Sequence, residues 1–397
     1  MSRILNFQLS VLFFLQFFLW GSWYVTLGTY LLETLEFSGR EVGLVYGATA
    51  IAATVSPFLL GLLADRFFNL ERLLSVLHLC GGGVMLIVSF IEHFAWFYPI
   101  LIAYALLYIP TFSLSNALAF HHLSNAARDF PRVRVWGTIG WVLAGVLVGW
   151  LEWEDTSYPM QLAAGASLVL GLFCFLLPST PPQARKGKLT LVEILGPEVL
   201  ALFKKRYFTV LVVCLTLISI PSGYYYSFVN PFLNELGMQN AAGKMSLGQV
   251  SEMAIMLLLP FFFTRFSFKW IISIGLFAWG ARYLLFAWGG MEGGRWMLYT
   301  GILLHGFAFN FAILAAQIYI DRIVPAHVKS TAQGFMAQVT LGIGALIGAF
   351  VAGETVNFYT ATDGTHLWQQ IWLVPGVFGL LVTIGFMVFF KGRKKNT

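Results

Sequence analysis

Glu252 lies in the stretch Gly248-Gln249-Val250-Ser251-Glu252-Met253-Ala254, which opens a segment otherwise apolar as far as Arg265. A carboxylate inside a membrane-length apolar run is costly unless something pairs with it or it takes up a proton. It is the acidic residue that falls well inside an apolar run of this chain. Gln249, one helical turn earlier, shares its face. Two chemistries fit the pair. One is proton uptake and release combined with hydrogen bonding to a polar solute; the other is a fixed ion pair between helices.

A second group sits in the fifth apolar run. From Val135 to Trp150 there are only 16 residues, fewer than the roughly 20 that a crossing needs. Starting the helix at Pro131, a favoured first position, supplies the length and draws Arg134 into the end of the bundle. Arg134, Thr138 and Trp141 then follow i, i+4, i+7 and form one stripe. A cation, a hydroxyl and an indole on one stripe suit a polar, flat, ring-bearing ligand. The alternative is an Arg134 that snorkels at the rim. Gly137, Gly140, Gly145 and Gly149 on the same run fit close helix packing.

In the tenth run His305 and Phe309 are i, i+4, with Asn310 adjacent. An imidazole, a phenyl ring and an amide near one face suit a hydrogen-bonding aromatic ligand; core packing around one satisfied histidine is the competing reading. Helical geometry points only one or two of Tyr224-Tyr225-Tyr226 inward, and the others are expected at lipid or interface positions. Arg282, inside the ninth run, needs a partner and reads as structural. No cluster has metal-ligand spacing, and no nucleophile elbow or phosphate-cradling glycine loop is present. An enzyme is therefore not expected, and no cofactor is implied.

The elements that carry these residues follow from composition. The 397 residues are 58% hydrophobic and 11% charged, with a mean hydropathy of +0.77. That excludes a soluble domain and implies an all-α polytopic membrane protein. About twelve runs are long enough to cross, near 8–32, 42–64, 72–91, 95–124, 131–150, 159–178, 207–234, 246–265, 270–290, 296–320, 328–353 and 368–390. The first is too long for a signal-peptide core. Cys80, Cys174 and Cys214 fall in spans and read as packing residues. With both termini on one side, the loops of that side hold about 20 Lys and Arg, and those of the other side about three, Arg40, Lys244 and Arg295. That bias places both termini in the cytoplasm, and it accounts for the net charge of +6 without a nucleic-acid partner. Residues 179–206, with Pro181-Pro182, Arg185-Lys186 and Lys204-Lys205-Arg206, form the longest polar stretch. They read as a cytoplasmic linker between a six-helix bundle at 1–178 and another at 207–397.

Several motifs carry a resemblance. Gly61-Leu62-Leu63-Ala64-Asp65-Arg66, followed by Arg72, resembles the loop signature of the major facilitator superfamily between its second and third helices. A weak echo is Pro260-Phe261-Phe262-Phe263-Thr264-Arg265. Aligning Arg66 with Arg265 sets Ala50 and Ala53 opposite Gln249 and Glu252, so the halves would share a fold while one carries the acid. The segments Phe14-Leu15-Gln16-Phe17-Phe18-Leu19-Trp20-Gly21-Ser22-Trp23, Asp129-Phe130-Pro131, Arg134-Val135-Trp136-Gly137-Thr138-Ile139-Gly140-Trp141, Gln249-Val250-Ser251-Glu252, Ser330-Thr331-Ala332-Gln333-Gly334 and Trp368-Gln369-Gln370-Ile371-Trp372-Leu373 are together similar to the nucleoside–proton symporter family of that superfamily.

The resemblance implies a twelve-helix importer of the bacterial inner membrane that works by alternating access, with nucleosides and protons as its partners; a monomer is expected. It implies that Arg134, Thr138, Gln249 and Glu252 contact substrate, that Trp141 and Phe309 flank the base, and that His305 keeps a ring and a hydrogen-bonding edge where a relative has tyrosine. Two departures bear on mechanism. Asn310 stands where the family usually has an aspartate of proton coupling, which would leave Glu252 as the sole intramembrane acid and weaken coupling. Gly223 and Tyr226 replace an amide pair of the seventh helix, which bears on base selectivity. The rivals are a facilitator of another small solute such as a sugar, and a non-transporting sensor of the same fold. The short polar ends, Met1 to Phe7 and Lys391 to Thr397, argue against the sensor.

Overall fold

A chain that crosses lipid must satisfy every backbone N–H and C=O within the segment, so its apolar runs are forced into helices. The computed structural model describes residues 3–63, 69–181, 197–325 and 328–391. The helices are α1 Arg3–Thr34, α2 Gly39–Leu63, α3 Leu70–Val88, α4 Phe94–His122, α5 Ala126–Trp150, α6 Tyr158–Leu176, α7 Arg206–Glu235, α8 Leu247–Arg265, α9 Phe268–Trp288, α10 Arg295–Ile323, α11 Thr331–Phe358 and α12 Trp368–Phe389. Eleven of these meet the length and hydropathy of a membrane span among the described residues, and α2, with 25 residues, is the twelfth. Asp65 and Arg66 of the loop signature, and Arg185 and Lys186 of the polar stretch, lie outside the described residues.

α5 corrects one expectation. It begins at Ala126 rather than at Pro131, which lies inside it. Asn125 caps the helix, its Oδ1 accepting the Arg128 N–H at 3.1 Å. Asp129, 2% exposed, sits in the first turn and takes the Arg128 guanidinium at 2.8 and 3.1 Å. A capping amide and a first-turn carboxylate complement the helix N-terminus better than proline alone, so they set the start.

The chain divides into two compact units, Met1–Lys188 with Gln239–Ser246, and Leu189–Met238 with Leu247–Thr397. In the first, α1 packs along α5 and α6, α2 along α4, and α3 along α4 and α6. In the second, α7 packs along α11 and α12, α8 along α10, and α9 along α10 and α12. Each pairing recurs six helices later, which is the internal repeat that the weak motif echo suggested. The crossings are close. A Cβ on Gly140 would run into the carbonyl oxygen of Phe14 on α1, and one on Gly223 of α7 would stand 2.5 Å from the backbone of Gly348 on α11. No amide side chain fits at Gly223 on this backbone, which gives a packing reason for that departure from the family pattern.

The first unit holds a buried polar network that motif reading passes over. His78 Nε2 and Gln16 Oε1 are 3.0 Å apart, Gln16 Nε2 donates to Thr111 Oγ1 at 2.7 Å, and Thr111 Oγ1 donates to the Tyr108 carbonyl at 2.5 Å. Ser167 Oγ of α6 donates to the His78 carbonyl at 2.9 Å and lies 3.3 Å from His78 Nδ1. The Thr111 hydroxyl is spent on a carbonyl, so it must accept from Gln16; Gln16 Oε1 must then accept from His78. The chain of donors ties α1, α3, α4 and α6. Gln16→Leu is expected to lower stability by about 1–3 kcal/mol by stranding the His78 donor. Thermal unfolding in detergent measures it.

Candidate functional site

In the second unit, small residues bring α8 against α10. A Cβ on Gly248 would lie 3.2 Å from the His305 Cβ, and one on Gly306 would lie 2.6 Å from the Ser251 backbone. Ser251 Oγ donates to the Leu303 carbonyl at 2.6 Å and fixes the register. That register places Glu252, 29% exposed on its side chain, with Oε2 3.6 Å from His305 Nε2. α10 widens into a π-helical segment at Ala308–Leu314, a distortion often found where function needs a shifted side chain. Asn310 occupies this segment. Its Nδ2 donates to the Glu252 carbonyl and to the Gly306 carbonyl, each at 2.9 Å. Both amide hydrogens are therefore committed to backbone, and Asn310 clamps α8 to α10.

His305, 1% exposed, is enclosed by rings. It stacks with Tyr225 at 5.2 Å and with Phe309 at 6.2 Å, and meets the edges of Tyr226 at 6.4 Å and Trp279 at 6.3 Å. The far side of the imidazole meets Arg282, whose Nη1 is 3.2 Å from His305 Nδ1. The Arg282 guanidinium is fully buried and lies 3.7 Å over the Tyr225 ring. Among the described residues, the partner of Arg282 is thus a histidine and a ring face, not a carboxylate in direct contact.

The tyrosine triplet points two of its members inward, as helical geometry allows. Tyr224 and Tyr225 are both buried at 1% exposure, and Tyr226 is half-buried. Tyr224 OH bonds Thr355 Oγ1 of α11 at 2.6 Å, and Tyr225 covers Arg282. Neither faces lipid, because α7 is packed by α11 and α12 on one side and approached by α9 on another. Gln249 is half-buried one turn before Glu252.

In the first unit, Arg134, Thr138 and Trp141 line one stripe of α5 as their spacing requires. Arg134 lies 3.9 Å over the Phe17 ring of α1 and is half-buried. It is held in the bundle end by an aromatic face. Thr138 is half-buried, and Trp141, 9% exposed, meets Trp20 edge-on at 5.3 Å. The nine residues singled out by sequence thus form two groups, one in each unit. Arg282 and Tyr225 are the members of the second group that sequence reasoning set aside; a basic residue inside an apolar run was the available signal for Arg282.

Residues 3–395 match the family model described as nucleoside H+ symporter. The chain belongs to the nucleoside–H+ symporter family. YegT of Escherichia coli (strain K12), a provisionally named nucleoside transporter, is 38% identical over 97% of this chain and 93% of its own length. The nucleoside permease NupG of the same organism is 31% identical over 98% of this chain and 96% of its own. A solved structure of the nucleoside transporter NupG, in a point-substituted form, superposes with a TM-score of 0.92 at 30% identity, covering 98% of this chain and all of that one. The symporter therefore has the major facilitator fold, is a multi-pass membrane transporter and not an enzyme, and takes nucleosides and protons.

Proposed function

We propose that this symporter imports nucleosides across the bacterial inner membrane as a monomer with both termini cytoplasmic, and that Glu252 is its proton carrier. Arg134 and Thr138 take ribose hydroxyls, Gln249 and Glu252 take polar edges of the nucleoside, and Trp141, Phe309, Tyr226 and His305 offer ring faces and edges to the base. The observation that carries the reading is the setting of Glu252: a partly exposed carboxylate in a membrane helix, 3.6 Å from a buried imidazole. An acid kept there at a cost has a job, and the family assigns protons as cargo. Alternating access then needs a group whose protonation favours one orientation over the other.

Substrate class is tested by competition. Labelled uridine binding should be displaced by unlabelled nucleosides and left intact by free bases and by sugars. Free bases that compete as well as nucleosides would remove the hydroxyl-reading role of Arg134 and Thr138, and Arg134→Ala should then be harmless to binding. Displacement by a sugar would favour a facilitator of another solute.

A further inference from the structure

A guanidinium is a donor in every one of its hydrogen bonds and stays charged throughout the accessible pH range. The contact of Arg282 Nη1 with His305 Nδ1 at 3.2 Å therefore requires Nδ1 to accept. A neutral imidazole that accepts at Nδ1 carries its hydrogen on Nε2. That nitrogen faces Glu252 Oε2 at 3.6 Å, slightly too long for a formed hydrogen bond and within a small adjustment of one. Protonating His305 would put an N–H on Nδ1 directly against the N–H of Arg282, in a pocket where His305 is 1% exposed. Among the described residues Arg282 Nε and Nη2 have no hydrogen-bond partner, so turning the guanidinium away from His305 would cost the face of Tyr225 without a replacement acceptor in place.

We propose that Arg282 is a positioning residue for proton coupling: it locks His305 as the neutral Nε2–H tautomer, so that the imidazole is a fixed donor to Glu252 and does not take the transported proton itself. This role rests on Glu252 being the proton carrier. Ionised Glu252 only accepts, and the Nε2–H holds it through a charge-assisted bond. Once Glu252 gains a proton from the aqueous side, that hold weakens and the carboxyl acquires an O–H to offer a nucleoside oxygen. Proton binding then precedes tight nucleoside binding.

The other titratable groups beside Glu252 and His305 are tyrosines: Tyr225 and Tyr226 on α7, with Tyr226 edge-on to His305 at 6.4 Å, and Tyr283 on α9, its ring 5.9 Å from the Arg282 guanidinium. Tyr225 of α7 lies beneath Arg282, and its hydroxyl is 3.3 Å from where a Gly248 Cβ would stand. On α9, Lys269 is 13 residues before Arg282, about 20 Å along the helix. On α10, Tyr299 and Arg295 precede His305 by 6 and 10 residues, about 9 and 15 Å. The π-helical segment Ala308–Leu314 has no titratable side chain, and Arg265 of α8 is 13 residues beyond Glu252.

Two measurements test the inference. In the unaltered protein, nitrogen NMR of the imidazoles, with His305 assigned by its loss in His305→Gln, should show His305 protonated at Nε2 only and unchanged from about pH 5.5 to 8. A hydrogen on Nδ1, or titration within that range, would overturn it. The second is uridine affinity against pH. Glu252→Gln alone should give a flat profile; a sloping one would instead refute Glu252 as the carrier. Adding Arg282→Met, which fills the space without charge, should free His305 to titrate and bring back a pH dependence of about fivefold or more centred near its ordinary value of about 6.5. Arg282→Lys, whose ammonium also only donates, should keep the profile flat. A double variant Glu252→Gln/Arg282→Met that folds and stays flat would sink the role of Arg282 and leave that of Glu252 standing.

Discussion

Glu252→Gln should reduce uptake from accumulation to equilibration, with an internal-to-external nucleoside ratio of about one, since a carrier without a titrating group cannot bias its two orientations with a proton gradient. Glutamine keeps the size and one carbonyl acceptor of the native side chain. It still faces the His305 Nε2–H, and the Asn310 clamp is made to the Glu252 backbone carbonyl, which the substitution leaves in place. Folding and nucleoside binding should therefore survive while coupling is lost. The comparison is accumulation at matched membrane expression. A variant that accumulates nucleoside as the parent does would show that another group carries the proton.

Asn310→Asp should make nucleoside binding and transport steeply dependent on pH. Asn310 donates two hydrogen bonds to two carbonyl oxygens, at 2.9 Å each. An ionised aspartate would present two acceptors to those same two acceptors; a protonated one restores a single donor. The amide thus acts as a permanent stand-in for a protonated acid, holding α8 to α10 at every pH. Replacing it introduces a clamp that closes only when protonated. The difference between clamp states is a buried hydrogen bond lost with its acceptors left unsatisfied, about 1–3 kcal/mol, or roughly five- to a hundredfold in the equilibrium between them. Sign follows from geometry: the clamp is intact at low pH and lost as pH rises. Uptake into proteoliposomes under an imposed gradient should be steeper for the aspartate variant than for the parent. Equal gradient-driven accumulation by both would mean that Glu252 alone suffices.

How far the sequence carries depends on whether a contact follows from spacing. Arg134, Thr138 and Trp141 form a stripe because one helix imposes i, i+4, i+7, and any α5 would show it. Glu252 announces itself by the cost of a carboxylate in an apolar run. The six-helix repeat is visible only faintly in the motifs, because packing pairs such as α1 with α5 and α7 with α11 preserve small residues at crossings rather than any string of identities. Pro131 alone points to a later start of α5 than the one Asn125 and Asp129 set, because the capping role of those two residues depends on the fold around them. Helical geometry limits how many of Tyr224, Tyr225 and Tyr226 face inward, but which two are covered depends on the helices packed around α7. Arg282 and His305 are 23 residues apart on different helices. Their meeting depends on how α9 and α10 cross, which no local pattern encodes. The His78–Gln16–Thr111 chain escaped for the same reason: each member looks like an isolated polar residue until four helices assemble around it.

Proton-driven nucleoside import by this symporter is measured by uptake of labelled uridine into cells that lack their own nucleoside permeases, with and without a protonophore. The expected result is accumulation above the external concentration that collapses to equilibration when the protonophore is added. Uptake that never exceeds equilibration and ignores the protonophore, or expression at the membrane with no uridine uptake, would contradict it.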